Sequence, residues 1–135
     1  MLFRSLIHEG QITHRAMGLQ PVLDLGKTWE QGTELPVPLG INVVRRDLGE
    51  ELHRTLSRGL RESIAYARAH EDEALGYAMR FGRGIDRETC RRFVTMYVND
   101  LTVSLGTTGR RALEVLFGLA HAKGLIPEIP PIDPL

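Results

Sequence analysis

The stretch Leu39-Gly40-Ile41-Asn42-Val43-Val44-Arg45-Arg46-Asp47-Leu48-Gly49-Glu50 is where this sequence changes character. Before Asp47 the apolar residues come in short runs punctuated by Gly and Pro. Leu6-Ile7, Pro21-Val22-Leu23-Asp24-Leu25-Gly26 and Leu39-Gly40-Ile41-Asn42-Val43-Val44 all read as strands or extended segments. A short helix over residues 27–31 fits between the second and third, before Pro36 and Pro38 force the chain to extend. Behind Asp47, Leu48, Leu52, Leu56, Leu60 and Ile64 recur every four residues, with Ala67 three further on. That spacing gives one apolar stripe on a helix. Asp47 and Glu50 have the spacing of a capping box at its start. Arg54, Arg58, Arg61, Glu62 and Arg68 fall largely off the stripe and read as a solvated face.

Three more helices follow. One spans residues 71–81, with Ala74, Leu75, Ala78 and Met79 inward, and ends at Gly82 and Gly84. Asp86 caps the next, which carries Phe93, Val94, Met96, Tyr97 and Val98. The last begins at Thr107 or Thr108 and stops at Gly124. A tail over residues 127–135, holding four prolines, is expected to be extended and weakly ordered. Strands followed by about four amphipathic helices imply an α/β fold. Three short strands make a thin sheet whose edges want partners, so the chain reads as part of something larger.

Composition excludes several classes. The chain has 135 residues, and its 17 Lys plus Arg balance 17 Asp plus Glu, which argues against a surface built for nucleic acid or anionic lipid. The single cysteine, Cys90, cannot form an internal disulfide and reads as a buried structural thiol. No apolar run approaches the ~20 residues that span a bilayer. Nor does the N-terminus have the form of a secretory signal, so the cytoplasm is the default location. Leu2-Phe3-Arg4-Ser5 matches what a common sequencing adapter encodes when read in frame, and residues 1–5 read as a non-native leader.

Among residues able to carry chemistry, His8 comes first. It ends an apolar pair and precedes Glu9-Gly10, and strand ends leading into Gly-containing loops often hold catalytic side chains. An unperturbed imidazole titrates near ~6.5, so a histidine there can act as a base. On a continuing strand Glu9 would point to the opposite face and make a poor partner for His8. By position alone a structural histidine is the commoner case.

The other candidates are weaker. His14 lies six residues on, with no third ligand at metal spacing, and His53, His70 and His121 sit among polar helix neighbours. Glu71-Asp72-Glu73 lies at a helix start, where the macrodipole favours acids. Gly82-Arg83-Gly84 follows a helix rather than a strand and lacks the Lys-Ser/Thr ending of a phosphate loop. Trp29 reads as a packing aromatic, with ligand stacking as the alternative.

Several segments in order resemble one family. They are Leu6-Ile7-His8-Glu9-Gly10-Gln11-Ile12-Thr13, Gly18-Leu19, Val22-Leu23-Asp24-Leu25-Gly26, Leu35-Pro36-Val37-Pro38-Leu39-Gly40-Ile41-Asn42-Val43-Val44-Arg45-Arg46-Asp47-Leu48-Gly49 and Tyr97-Val98-Asn99-Asp100-Leu101-Thr102. Together they resemble the 1,4-dihydroxy-6-naphthoate synthases of the futalosine route to menaquinone, over residues 6–125. The resemblance implies the C-terminal part of a two-lobed fold like the type II periplasmic binding proteins. Residues 6–38 would end the smaller lobe, and residues 39–126 would return to the larger one. It implies a lyase that converts cyclic dehypoxanthinylfutalosine to 1,4-dihydroxy-6-naphthoate and dihydroxyacetone, with no metal or organic cofactor. His8 matches the family histidine thought to act as general base. The partners implied are the small-molecule substrate and a missing N-terminal lobe, and neither nucleic acid nor membrane. The sequence departs from the family pattern at His14 and at Ser104-Leu105-Gly106-Thr107-Thr108.

Three other readings stand beside this one. A chorismate dehydratase of the same pathway shares the architecture, and a solute-binding lobe would need no base at His8. A helical interaction domain would leave the leucine stripe exposed.

Overall fold

The computed structural model describes residues 5–8, 10–82 and 84–134. Among these residues seven helices follow in order: α1 (Gly10–Thr13), α2 (Leu25–Thr33), α3 (Glu50–Ala69), α4 (Glu71–Ala78), α5 (Arg87–Tyr97), α6 (Asp100–Val103) and α7 (Gly106–Ala122). A 3₁₀ turn, Arg46–Leu48, precedes α3.

The described residues contain no strand, and this corrects the expected α/β class and the two-lobed architecture built on it. Each apolar run read as a strand has the composition for one, but a strand exists only when its amides and carbonyls meet those of a neighbour. None of the three finds one. Val22 is 77% exposed and Val43 is 83% exposed, as isolated extended backbone leaves them. The second run also breaks early, because the Asp24 carboxylate accepts from the Lys27 amide at 3.1 Å and starts α2.

Trp29 fastens that helix to the following segment. Its Nε1 donates to the Pro36 carbonyl at 3.2 Å, and the Thr33 hydroxyl donates back to the Trp29 carbonyl at 2.8 Å. The indole is half-buried, so it serves packing.

The start of α3 differs from the expected capping box. Asp47 lies in the 3₁₀ turn and is gripped by the Arg45 guanidinium, while Glu50 pairs with Arg54 at 2.8 Å. Gly49, at φ 82°, takes the N-cap position without a side-chain bond. His53 helps hold the turn: its Nε2–H donates to the Arg45 carbonyl at 2.7 Å. From the other end of the chain, Asp133 pairs with Arg46 at 2.6 Å, bringing the proline-rich tail back to this turn.

The later helices follow the sequence closely. Asp86 caps α5, accepting from the Thr89 amide at 2.9 Å and its hydroxyl at 2.7 Å. Those two bonds hold the Asp86 carboxyl below its ordinary value. Asn99 and Thr102 form a reciprocal capping box on the short α6. Gly84, at φ 79°, lies in the turn after α4, while Arg83 and the phosphate-loop comparison made there fall outside the described residues.

The acidic run Glu71-Asp72-Glu73 is a clamp. Glu71 accepts from Arg91 at 2.5 Å and Asp72 from Arg87 at 2.7 Å, both on α5, and Glu73 accepts from the Tyr66 hydroxyl at 3.2 Å. The Glu73 bond and charge raise the Tyr66 phenol above its ordinary value.

Helix α3 packs on α4 and α6, and α4 packs on α5. The core is small: Leu75 of α4, Cys90 of α5, and Ala112 and Leu113 of α7. Cys90 is a buried free thiol, as its sequence setting implied. The leucine stripe of α3 is only partly covered. Ile64 and Ala67, toward its C-terminal end, are half-buried, whereas Leu52, Leu56 and Leu60 remain 41%, 47% and 43% exposed.

Candidate functional site

His8 lies in a turn rather than at the end of a strand. Its φ is 54°, in the left-handed region, and the residue is exposed. The turn leads directly into α1: the Gln11 amide donates to the His8 carbonyl at 3.1 Å. Glu9 and its expected orientation lie outside the described residues.

The imidazole faces α5. Its ring lies 6.3 Å from the Phe93 ring, tilted by 54°. Phe93 stands 5.0 Å from Tyr97, one helical turn along the same face. The loop then closes, because Gln11 Nε2 donates to the Tyr97 hydroxyl at 3.1 Å. Two residues of the N-terminal segment and two of α5 thus form one cluster. The sequence put Phe93 and Tyr97 on one helix, but nothing in it paired them with His8 or pointed to Gln11. Among the described residues no carboxylate hydrogen-bonds the imidazole.

His14 belongs to the same segment. Its Nδ1–H donates to the Gln11 carbonyl at 3.0 Å. Its Nε2 is buried with no partner among the described residues. His53 is committed to the Arg45 carbonyl, and His70 stacks on Tyr66 at 4.0 Å while donating to the Tyr66 carbonyl. No group of three His, Cys, Asp or Glu able to hold a metal stands together among the described residues. No helix there is long and apolar enough to cross a membrane.

Open depressions mark the surface of the described residues. One of about 590 Å³ is lined by Lys27, Glu30, Gln31 and Glu34, and one of about 270 Å³ by residues of α3 including Arg54 and Arg58. His8 lines neither of them, and its side chain is exposed. A histidine is a common general base, and this one has the Phe93 ring beside it.

This is a helical segment presenting one histidine against an aromatic pair, and its sequence places it in a known group. The chain belongs to the menaquinone biosynthesis family, whose profile matches residues 5–122. It is 44% identical over 120 residues to a 1,4-dihydroxy-6-naphthoate synthase of Thermus thermophilus, covering 89% of this chain and 44% of that protein. A protein of the same name from Streptomyces coelicolor is 33% identical over 126 residues, covering 93% and 45%. The X-ray structure of an Archaeoglobus fulgidus protein superposes with a TM-score of 0.86 at 50% identity, covering 90% of this chain and 46% of that one. The chain therefore spans a little under half the length of the relatives it matches.

Proposed function

We propose that this chain supplies the His8-bearing part of a cytoplasmic lyase that converts cyclic dehypoxanthinylfutalosine to 1,4-dihydroxy-6-naphthoate and dihydroxyacetone. The observation that carries the reading is the 44% identity to the Thermus thermophilus synthase, sustained over 120 residues. A buried, unpaired Cys90 suits a reducing compartment.

In this reading the His8 imidazole withdraws a proton from a substrate carbon. The electron pair left behind forms the new ring double bond as the carbon–carbon bond to the three-carbon fragment breaks. That fragment leaves as an enediolate and takes the proton back from the imidazolium to become dihydroxyacetone, while the remaining ring becomes aromatic. A positioned base contributes roughly 10²- to 10⁴-fold. Phe93 on α5 stands beside the ring, and Tyr97 packs on Phe93 behind it. Holding the substrate falls to residues outside this chain.

The test joins the remaining part of the Thermus thermophilus relative to this chain and compares His8 with His8→Asn and His8→Ala. Retained substrate binding with turnover reduced by roughly 10²-fold or more is the expected result. Equal turnover in all three removes the assignment.

A further inference from the structure

The chain exposes 10856 Å² of surface. A compact monomer of this mass exposes about 7,100 Å². The excess of roughly 3,700 Å² includes large apolar side chains: Leu52, Leu56 and Leu60 on one face of α3, and Leu39, Ile41 and Val43 just upstream. A run of apolar side chains on one helix face, rimmed by Arg54, Arg58 and Glu62, is the pattern of a surface that another polypeptide covers.

Two occupants compete, and the area separates them. A second copy docking through an obligate interface would cover about 1,000–2,500 Å² of this chain. That leaves a large part of the excess unexplained. A polypeptide of comparable size can pack along α3 and along the exposed Leu39, Ile41 and Val43 upstream of it together. The relatives contain such a polypeptide, since more than half of each lies outside the part that this chain matches.

We propose that the Leu52, Leu56 and Leu60 face of α3 is the docking surface for the part of the family's polypeptide that this chain does not span. Leu56, the most exposed of the three, lies at the centre of the contact. Arg54 and Arg58 stay on the solvent side. The inference rests on the family relationship that also underlies the proposed function, and is independent of what His8 does.

The experiment uses the same fusion to the remaining part of the Thermus thermophilus relative, carrying either Leu56→Cys or Arg58→Cys. Cys90, buried in the core, is the internal control for folding. Alkylation of Leu56→Cys slower than that of Arg58→Cys by at least about tenfold, with Cys90 protected, is the expected result. Equal labelling of the two positions with Cys90 protected overturns the proposal. Labelling of Cys90 as fast as Arg58→Cys also counts against it, because a docked fusion keeps this core closed. A stable homodimer of the 135-residue chain alone, lost on Leu56→Glu, would assign the face to a second copy and overturn it too. Slow labelling at Leu56→Cys in a fusion without turnover would leave the docking standing while the lyase reading fails.

Discussion

Gln11 and Tyr97, 86 residues apart in sequence, are joined by a 3.1 Å hydrogen bond from the amide nitrogen of one to the hydroxyl of the other. This bond ties the segment that carries His8 to α5. Tyr97→Phe removes it while keeping the ring beside Phe93. Because the bond is exposed, the expected loss is at the low end of about 0.5–1.5 kcal/mol. Faster amide exchange over residues 10–14, with α7 unchanged, would show that the loss is local.

Phe93 is the aromatic next to the imidazole, so Phe93→Ala should act on catalysis more than on binding. In the fused protein kcat is expected to fall by about tenfold with KM little changed, as a misplaced base would produce. A rise in KM with kcat intact would instead make Phe93 a substrate contact.

The 135-residue chain alone should not turn over the cyclic substrate. Its candidate base is exposed. Without enclosure the substrate and base are not held together, and the advantage of a bound geometry is lost. Steady-state assay of the isolated chain at high enzyme concentration checks this, and turnover matching the fused protein would contradict it.

The cap on α5 should respond to acid. Asp86 is held below the ordinary aspartate value of 3.8 by the Thr89 amide and hydroxyl. Its stabilisation is therefore fully present above that value and fades as pH falls through the lower folded value. Asp86→Ala should lower Tm at neutral pH and lose less than wild type below about pH 3. Asp86→Asn, which still accepts from Thr89, should keep most of the cap and weaken its pH dependence. Thermal melts across this range decide it.

Asn99→Ala breaks the capping box on α6 and should cost about 1 kcal/mol, read by chemical denaturation. Arg68 pairs with Asp100 at 2.9 Å across α3 and α6, so the change should also loosen that junction.

The helices were the legible part of the sequence. α3, α4, α5 and α7 each carry an apolar period or a capping residue long enough to outweigh local exceptions. The four-residue helices α1 and α6 were not legible, since one turn holds too few positions to show a period. Asp47 looked like a cap because the sequence does not reveal that Arg45 takes its carboxylate. The strand readings failed for a different reason. Val22, Val43 and their neighbours have strand-like side chains, but pairing is a property of two segments, and among the described residues no such pair forms. The site divided in the same way. His8 could be singled out, whereas Gln11, Phe93 and Tyr97 join it only through long-range packing.

The backbone at His8 restricts what can replace it. At φ 54° a β-branched side chain crowds its own carbonyl, and only glycine, asparagine and a few others settle there cheaply. Replacement by valine or threonine would twist the loop as well as delete the imidazole, confusing lost chemistry with lost shape. Asparagine keeps the twist, so a comparison of His8→Asn with His8→Ala separates the ring's contribution from that of the bend beneath it.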